Sequence, residues 1–366
     1  MNRREFLHYA VFSGLSVTLG NFFSCAQVPP LPTKGKALLE RVQMIDAHAH
    51  TDRYVFSSRQ IDTSSSLKAI QELGMVASSF SAVGDEVFLN RGRQPGTEYG
   101  STKIQLEHWI KGPIRRGNLN LILKASDIHD AVDKKTPPGA ILAIEGGDPL
   151  EGKPDRVDEF YRLGVRMITL VHYRNNELGD IMRVYENSDP GPRHNGLTPA
   201  GRKVMERMQE LGMVVDVAHA HTTTLKQIVE ISRKPLVDSH TSSCYIDDPS
   251  SCSRYRTRTW EEMEWVAKTG GVVCTWPLAY IGAGIIRMTF LDWANEILRM
   301  KRQLGMEHVG LGTDGGGNLP KLIEGYRDVR DLVRLVAAMQ EVGLSRDEIA
   351  AYMGGNFYRV LQSYIG

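Results

Sequence analysis

Residues 196–219 read GLTPAGRKVMERMQELGMVVDVAH, and their reading decides the fold. Thr198-Pro199 supplies a helix N-cap followed by proline at the first helical position. A helical pattern then runs over 198–211, and a glycine follows it. Residues 213–219 are short, apolar and valine-rich, which predicts a buried strand leading into a histidine. Working outward, the same alternation recurs. Residues 43–47, 75–82, 140–145, 166–172, 213–219, 235–240, 271–276 and 308–313 read as strands, and 223–232 and 260–269 as further helices. Eight strands alternating with helices predict an α/β fold, a (β/α)8 TIM barrel in one domain. The competing architecture is an open doubly wound sheet. No GxGxxG opens a helix after the first strand, which weighs against a nucleotide-binding version.

Composition agrees with one large domain. The chain has 366 residues, is 42% hydrophobic, and balances 44 basic against 43 acidic residues for a net charge of +1. That charge gives no field for nucleic acid or an anionic membrane. The four cysteines, Cys25, Cys244, Cys252 and Cys274, contain no CxxC pair, so they form neither a disulfide framework nor a cysteine zinc site. Residues 1–33 read as a leader and a Pro-rich linker, and 34–366 as the single barrel domain. Arg3-Arg4, one spacer, Phe6-Leu7 and a mostly apolar run to Phe23 resemble a twin-arginine export signal. The expectation is export to the periplasm or cell envelope of a bacterium. Two alternatives stay open, a retained membrane anchor and a lipid on Cys25.

Polar residues fall in one place along this pattern. Strand one leads to His48 and His50, strand three to Glu145, and strand four to His172. Strand five ends in His219, strand six in His240, and strand eight leads to Asp314. C-terminal strand ends converge on one mouth of a barrel, where active sites sit. The chain has eleven histidines, and five of them occupy these ends. Imidazole and carboxylate together suit Zn²⁺ or a similar divalent ion. Two ions would need a bridging carboxylate, and Glu145 is the strand-end glutamate available.

These residues lie within an ordered series of motifs: MIDAHAH (44–50), AIEGG (143–147), LVHYRNNELGD (170–180), residues 196–219, SRKPLVDSHTSS (232–243), GLGTDGGG (310–317) and GGNFYRVL (354–361). The series resembles the membrane, or renal-type, dipeptidases of the amidohydrolase superfamily. The resemblance implies a binuclear zinc dipeptidase working by a metal-bridging hydroxide. Its substrates would be dipeptides, including those with a C-terminal D-residue. Glu145 would bridge the ions, His48 and His50 would bind one, and His219 and His240 the other. Asp314 would handle the hydroxide's proton. His172 would face the scissile carbonyl. Arg254, Arg256 or Arg258 would meet the substrate carboxylate, with Arg256 favoured. The resemblance also implies a homodimer.

Two departures stand out. The family usually has His-x-Asp where this chain has His48-Ala49-His50. A rival register would use His50 and Asp52. His48 and His50 keep the match at Ile45-Asp46, and alternation points the two histidines the same way. Asp46 is then expected to support a ligating histidine from below, and Asp52 to lie in a loop. The second departure is Gly315-Gly316-Gly317 after Asp314, where the family commonly has acidic and aromatic side chains. The bare loop is expected to widen the mouth of the site. Asn175, Asn176 and Asp180 are expected to shape that mouth. His221 is a competitor of His219 for the ligand role. The imidazole at position 50 keeps open another amidohydrolase activity on this scaffold, such as an N-acyl amino acid amidase, a lactonase or a deaminase. A catalytically inactive metal-binding protein is the remaining class.

Overall fold

The computed structural model describes residues 42–53, 64–85, 97–128, 136–182, 192–244, 256–282 and 285–366. The leader at 1–33, Cys25, Cys252, Arg254 and Tyr255 lie outside the described residues. Eight parallel strands follow one another in space as in sequence: β1 (Ile45–Asp46), β2 (Ala77–Val83), β3 (Gly139–Glu145), β4 (Val165–Thr169), β5 (Val214–Asp216), β6 (Val237–Thr241), β7 (Val272–Thr275) and β8 (Val309–Leu311). The order closes on itself. Ala47 N–H donates to Leu311 O at 3.0 Å, and Asp314 N–H to His48 O at 2.8 Å. The result is the nearly closed barrel of eight parallel strands that the alternation predicts.

Pleating decides which side chains reach the site. Ile141 and Ala143 pack with Met167, Val214, Val237 and Val272, and with Phe357, Val360 and Leu361 of the C-terminal helix Asn356–Ile365. Leu142 and Ile144 belong to the other cluster, with the helix residues Leu106, Val204 and Met205. Glu145 continues the Ile141–Ala143 series and therefore ends it inside the barrel. The register sets Glu145 beside Thr169, and Thr169 beside Asp216, so these strands end at one level.

The ladders stop earlier than the valine-rich runs suggest. β4 ends at Thr169 and β5 at Asp216, each three residues before its histidine. From there the chain leaves the sheet and bends into the mouth. His219, Arg256 and Asp314 all adopt positive φ, at 64°, 58° and 50°. Each such residue costs about 1–3 kcal/mol. Full burial of a large apolar side chain is worth about 1.5–3 kcal/mol, so a few of the core residues offset the strain.

The helix in the opening stretch forms as its residues require. It spans Pro199–Leu211, with Thr198 as a cap that accepts from Gly201 N–H at 2.9 Å. No helix among the described residues is long and apolar enough to cross a membrane.

Candidate active site

Glu145 is the hub. Its Oε1 lies 3.3 Å from His48 Nε2, 3.1 Å from His219 Nε2 and 3.3 Å from His240 Nε2. Its Oε2 lies 3.2 Å from His50 Nε2 and 3.3 Å from His172 Nε2. Asp314 Oδ1 is 3.4 Å from His50 Nε2 and 3.8 Å from His48 Nε2. All seven residues are buried, so the mouth gathers every strand-end ionisable group named from the sequence. Two ligand-like groups share Glu145: His48, His50 and Glu145, and Glu145, His172 and His219.

A metal ion fits this donor set. His48 Nε2 and Asp314 Oδ1 are buried with no hydrogen-bond partner. Each orphan costs about 1–3 kcal/mol, and a divalent cation is one partner that satisfies a nitrogen lone pair and a carboxylate oxygen together. His50 is already oriented for it. Its Nδ1 lies 2.7 Å from the Ser81 carbonyl, which can only accept, so Nδ1 carries the proton and Nε2 faces the two carboxylates.

The cluster perturbs its own titrations. Burial pushes His50 down, but the carboxylates of Asp314 and Glu145 outweigh it and raise it to about 9. Burial would raise Glu145, but the imidazoles of His172 and His48 hold it well below the carboxylate range. Burial, with Arg256 and His172 beside it, drives His219 well below the imidazole range. Burial, with His48 beside it, takes His240 to about 4. Several neutral nitrogen ligands and ionised carboxylates are what a cation requires.

His172 is fixed by a residue that sequence reading missed. Its Nδ1 is 2.7 Å from Oδ1 of Asp85, and the other Asp85 oxygen accepts Tyr173 N–H at 3.1 Å. Asp85 follows β2, is fully buried, and stands after an unremarkable AVG in sequence. Its pairing turns His172 Nε2 inward, where the imidazole also meets the second ligand-like group. Asp46 supports the site from below, as expected, through the backbone of His48. It accepts the backbone N–H of His48 at 3.2 Å, and Thr313 N–H at 2.8 Å and Oγ1–H at 2.5 Å. It ties β1 to β8 and holds the backbone of a site histidine.

His221 caps the helix Thr222–Ile231, its Nδ1 accepting Thr223 N–H at 3.1 Å, and so faces away from the centre. Asn176 donates to Asp148 and Leu170 O, and Asp180 accepts the N–H groups of Arg193, His194 and Gly196. These side chains hold the chain that follows β4 in place. Asp52 sits in a loop, as expected, accepting Leu67 N–H at 2.9 Å. Cys274 is a buried free thiol, whereas Cys244 is disulfide-bonded.

The arginine region is no solvated basic loop. Arg256 and Arg258 are both buried. Arg256 enters the site: Nη1 lies against His219, 2.7 Å from Nδ1, Nη2 donates to His240 O at 3.0 Å, and the guanidinium sits 4.9 Å over the Trp276 ring. Its Nε has no hydrogen-bond partner. Arg258 turns the other way, into Asp238.

The glycine loop is bare for lack of room. A Cβ on Gly316 would meet His50 O at 2.7 Å, and one on Gly317 would stand 2.0 Å from Asp314 Oδ1. The glycines let the chain press against the site instead of widening its mouth. Gly317→Ala is expected to displace the Asp314 carboxylate and lower kcat on the order of 100-fold, and to lower the melting temperature too, because the added Cβ also meets the Asp314 backbone oxygen at 2.9 Å. Steady-state kinetics beside a thermal melt check both halves.

A nearly closed barrel of eight parallel strands with histidine and carboxylate ligand groups at its C-terminal mouth defines a (β/α)8 metallohydrolase fold. The family model for membrane dipeptidase, peptidase family M19, matches residues 33–364. The chain belongs to that family. A dipeptidase of Claviceps purpurea, tcpJ, is 28% identical over 224 residues, 61% of this chain and 50% of its own length. The chain spans about half the length of the curated relatives it matches. Among solved structures, an amidohydrolase from Pseudomonas aeruginosa superposes with TM-score 0.73 at 20% identity, covering 91% of this chain and 99% of its own. A metallo peptidase from Rhodobacter sphaeroides, liganded with a phosphinate mimic of the dipeptide L-Ala-D-Ala, superposes with TM-score 0.72 at 17% identity, covering 88% and 99%.

Proposed function

We propose that the chain is a zinc dipeptidase in which Glu145, shared between two ions, would hold them together with His48 and His50 for one and His219 and His240 for the other. What supports this reading is Glu145, which lies within 3.3 Å of five imidazole nitrogens, Oε1 facing His48, His219 and His240 and Oε2 facing His50 and His172, and is shared by two ligand-like groups. Bound divalent cations would supply Lewis acidity and lower the pKa of a bound water to about 7. The remaining work belongs to this chain's side chains. Asp314 takes the proton of the attacking water and returns it to the leaving amine. His172, which burial lowers but Asp85 and Glu145 raise above its ordinary value, donates from the Nε2–H of its imidazolium form to the scissile carbonyl oxygen while Asp85 holds Nδ1–H. Arg256 binds the terminal carboxylate with its unpaired Nε–H, and this limits substrates to dipeptide length. The L-Ala-D-Ala mimic bound by the Rhodobacter relative supports C-terminal D-residues among the substrates. On the same reading the protein is an exported homodimer of the bacterial cell envelope.

The test is a panel of L-L and L-D dipeptides with a tripeptide control, run on zinc-loaded protein. Dipeptide cleavage without tripeptide cleavage is expected. Arg256→Ala is expected to lower kcat/KM about 10–100-fold, the worth of a charge-assisted hydrogen bond of about 1.5–3 kcal/mol, mostly through KM. Equal loss on an amide lacking the terminal carboxylate would remove Arg256 from that role. His50 favours a second reading, since imidazole in place of carboxylate makes the centre one unit more positive. If the panel fails while metal binds, N-acyl amino acids and lactones are the next substrates, and deamination the next reaction.

A further inference from the structure

Beneath the ligand histidines one hydroxyl sets two ring tautomers. Ser239 lies inside β6 and is buried. Its Oγ donates to Asp216 Oδ2 at 2.7 Å. Thr169 Oγ1 donates to the same oxygen at 2.5 Å, and Asp216 Oδ1 accepts the N–H groups of Ala218 and Ser239, both at 3.0 Å. Asp216 thus stands as an acceptor of four donors at the end of β5. A serine hydroxyl has one proton and two lone pairs. With the proton committed to Asp216, Oγ can only accept from its other neighbours. Those neighbours are His240 Nδ1 at 2.9 Å and His48 Nδ1 at 3.4 Å. Both Nδ1 atoms therefore carry hydrogen, and both rings present a lone pair at Nε2. The two rings stack, with centroids 4.0 Å apart and planes 24° from parallel. Each Nε2 stands 3.3 Å from Glu145 Oε1.

We infer that Ser239, oriented by Asp216, is the positioning residue of the metal centre: its single hydroxyl holds His48 and His240 together in the Nδ1–H tautomer, aimed at the divalent cation. This rests on reading both histidines as metal ligands. The shared acceptor joins the first histidine motif to one 191 residues away from it in sequence, so one hydroxyl, itself fixed by Asp216, orients both rings. A serine that merely filled space would leave ring orientation and metal affinity untouched when replaced by alanine.

The experiment titrates metal-free full-length protein with Zn²⁺ against a chromophoric chelator, for wild type, Ser239→Ala, Ser239→Thr and His48→Ala. Ser239→Ala is expected to bind zinc about 10–100-fold more weakly, and Ser239→Thr, which keeps the hydroxyl, to recover most of that loss. Long-range ¹H–¹⁵N correlation on metal-free wild type is expected to find His48 and His240 protonated at Nδ1, a readout that needs no variant to fold. Wild-type zinc affinity in Ser239→Ala beside weakened binding in His48→Ala would overturn the role of Ser239 alone. Unchanged affinity in His48→Ala would overturn the ligand assignment itself. Protonation of either ring at Nε2 in wild type would also defeat the inference.

Discussion

Asp314→Asn is expected to lower kcat for dipeptide hydrolysis by about 10²–10⁴-fold, the usual worth of a positioned general acid–base group, while zinc content stays at the wild-type level. The change is isosteric, so what it removes is the ability to take a proton. Asp314 is built for that task by its surroundings. It follows β8 directly, its φ of 50° throws the side chain inward, and its N–H is tied to His48 O at 2.8 Å. Oδ1 remains without a hydrogen-bond partner among the described residues, facing His50 and His48. A carboxylate held that tightly but left with one free oxygen is placed to receive something. Metal analysis beside kinetics separates the outcomes. Full zinc with lost turnover supports proton transfer. Lost zinc would make Asp314 a structural ligand, and undiminished turnover would assign the proton to another group.

The frame of the site was legible because it repeats. Apolar runs of similar length, six of the eight leading to a histidine or an acid, need no partner information to be recognised, and all eight became strands of one barrel. What was hidden depends on pairing across the fold. Nothing local distinguishes Asp85, Asp216 or Asp238 from the chain's other aspartates. Asp85 acquires its meaning from His172, 87 residues away, and Asp46 from Thr313, 267 residues away. Both lengths exceed any helical or strand periodicity. The strand ends were overrun for a related reason. Val217-Ala218 continues the apolar pattern of β5, but the turn into the mouth is set by left-handed φ at His219, which composition does not encode. Gly315–Gly317 misled in the opposite direction. A missing side chain in sequence looks like open space, whereas here backbone and side-chain atoms occupy it. Arg256 and Arg258, two residues apart, were indistinguishable as charges; burial against different partners separates them.

That separation makes the second large effect. Arg258→Ala is expected to destabilise the fold by about 3–5 kcal/mol, the cost of stripping one partner from a buried ion pair. Against a typical total of about 5–15 kcal/mol this threatens folding, whereas Arg256→Ala should leave the melt close to wild type. Arg258 is 1% exposed and spends its guanidinium on structure. Nε donates to Asp238 Oδ2 at 2.8 Å, Nη1 to Ala220 O at 2.7 Å, and Nη2 to Val217 O at 2.8 Å. Those carbonyls flank the bend that delivers His219, so the side chain also holds that bend. Removing it orphans both carbonyls and leaves the Asp238 carboxylate buried alone. Burial already raises Asp238 above its ordinary value against the pull of Arg258; without that pull it rises further. An acid raised in the folded state binds its proton more tightly there than in the unfolded chain, so stability falls with rising pH and recovers as pH drops through the raised value. The variant should therefore be least stable at alkaline pH and partly rescued under mildly acidic conditions above the range of general acid unfolding. Asp238→Asn added to Arg258→Ala should recover part of the loss and flatten that pH dependence. Urea unfolding of the two variants and the double variant at two pH values measures all of this. A midpoint for Arg258→Ala equal to wild type would mean that the buried pair contributes nothing to the fold.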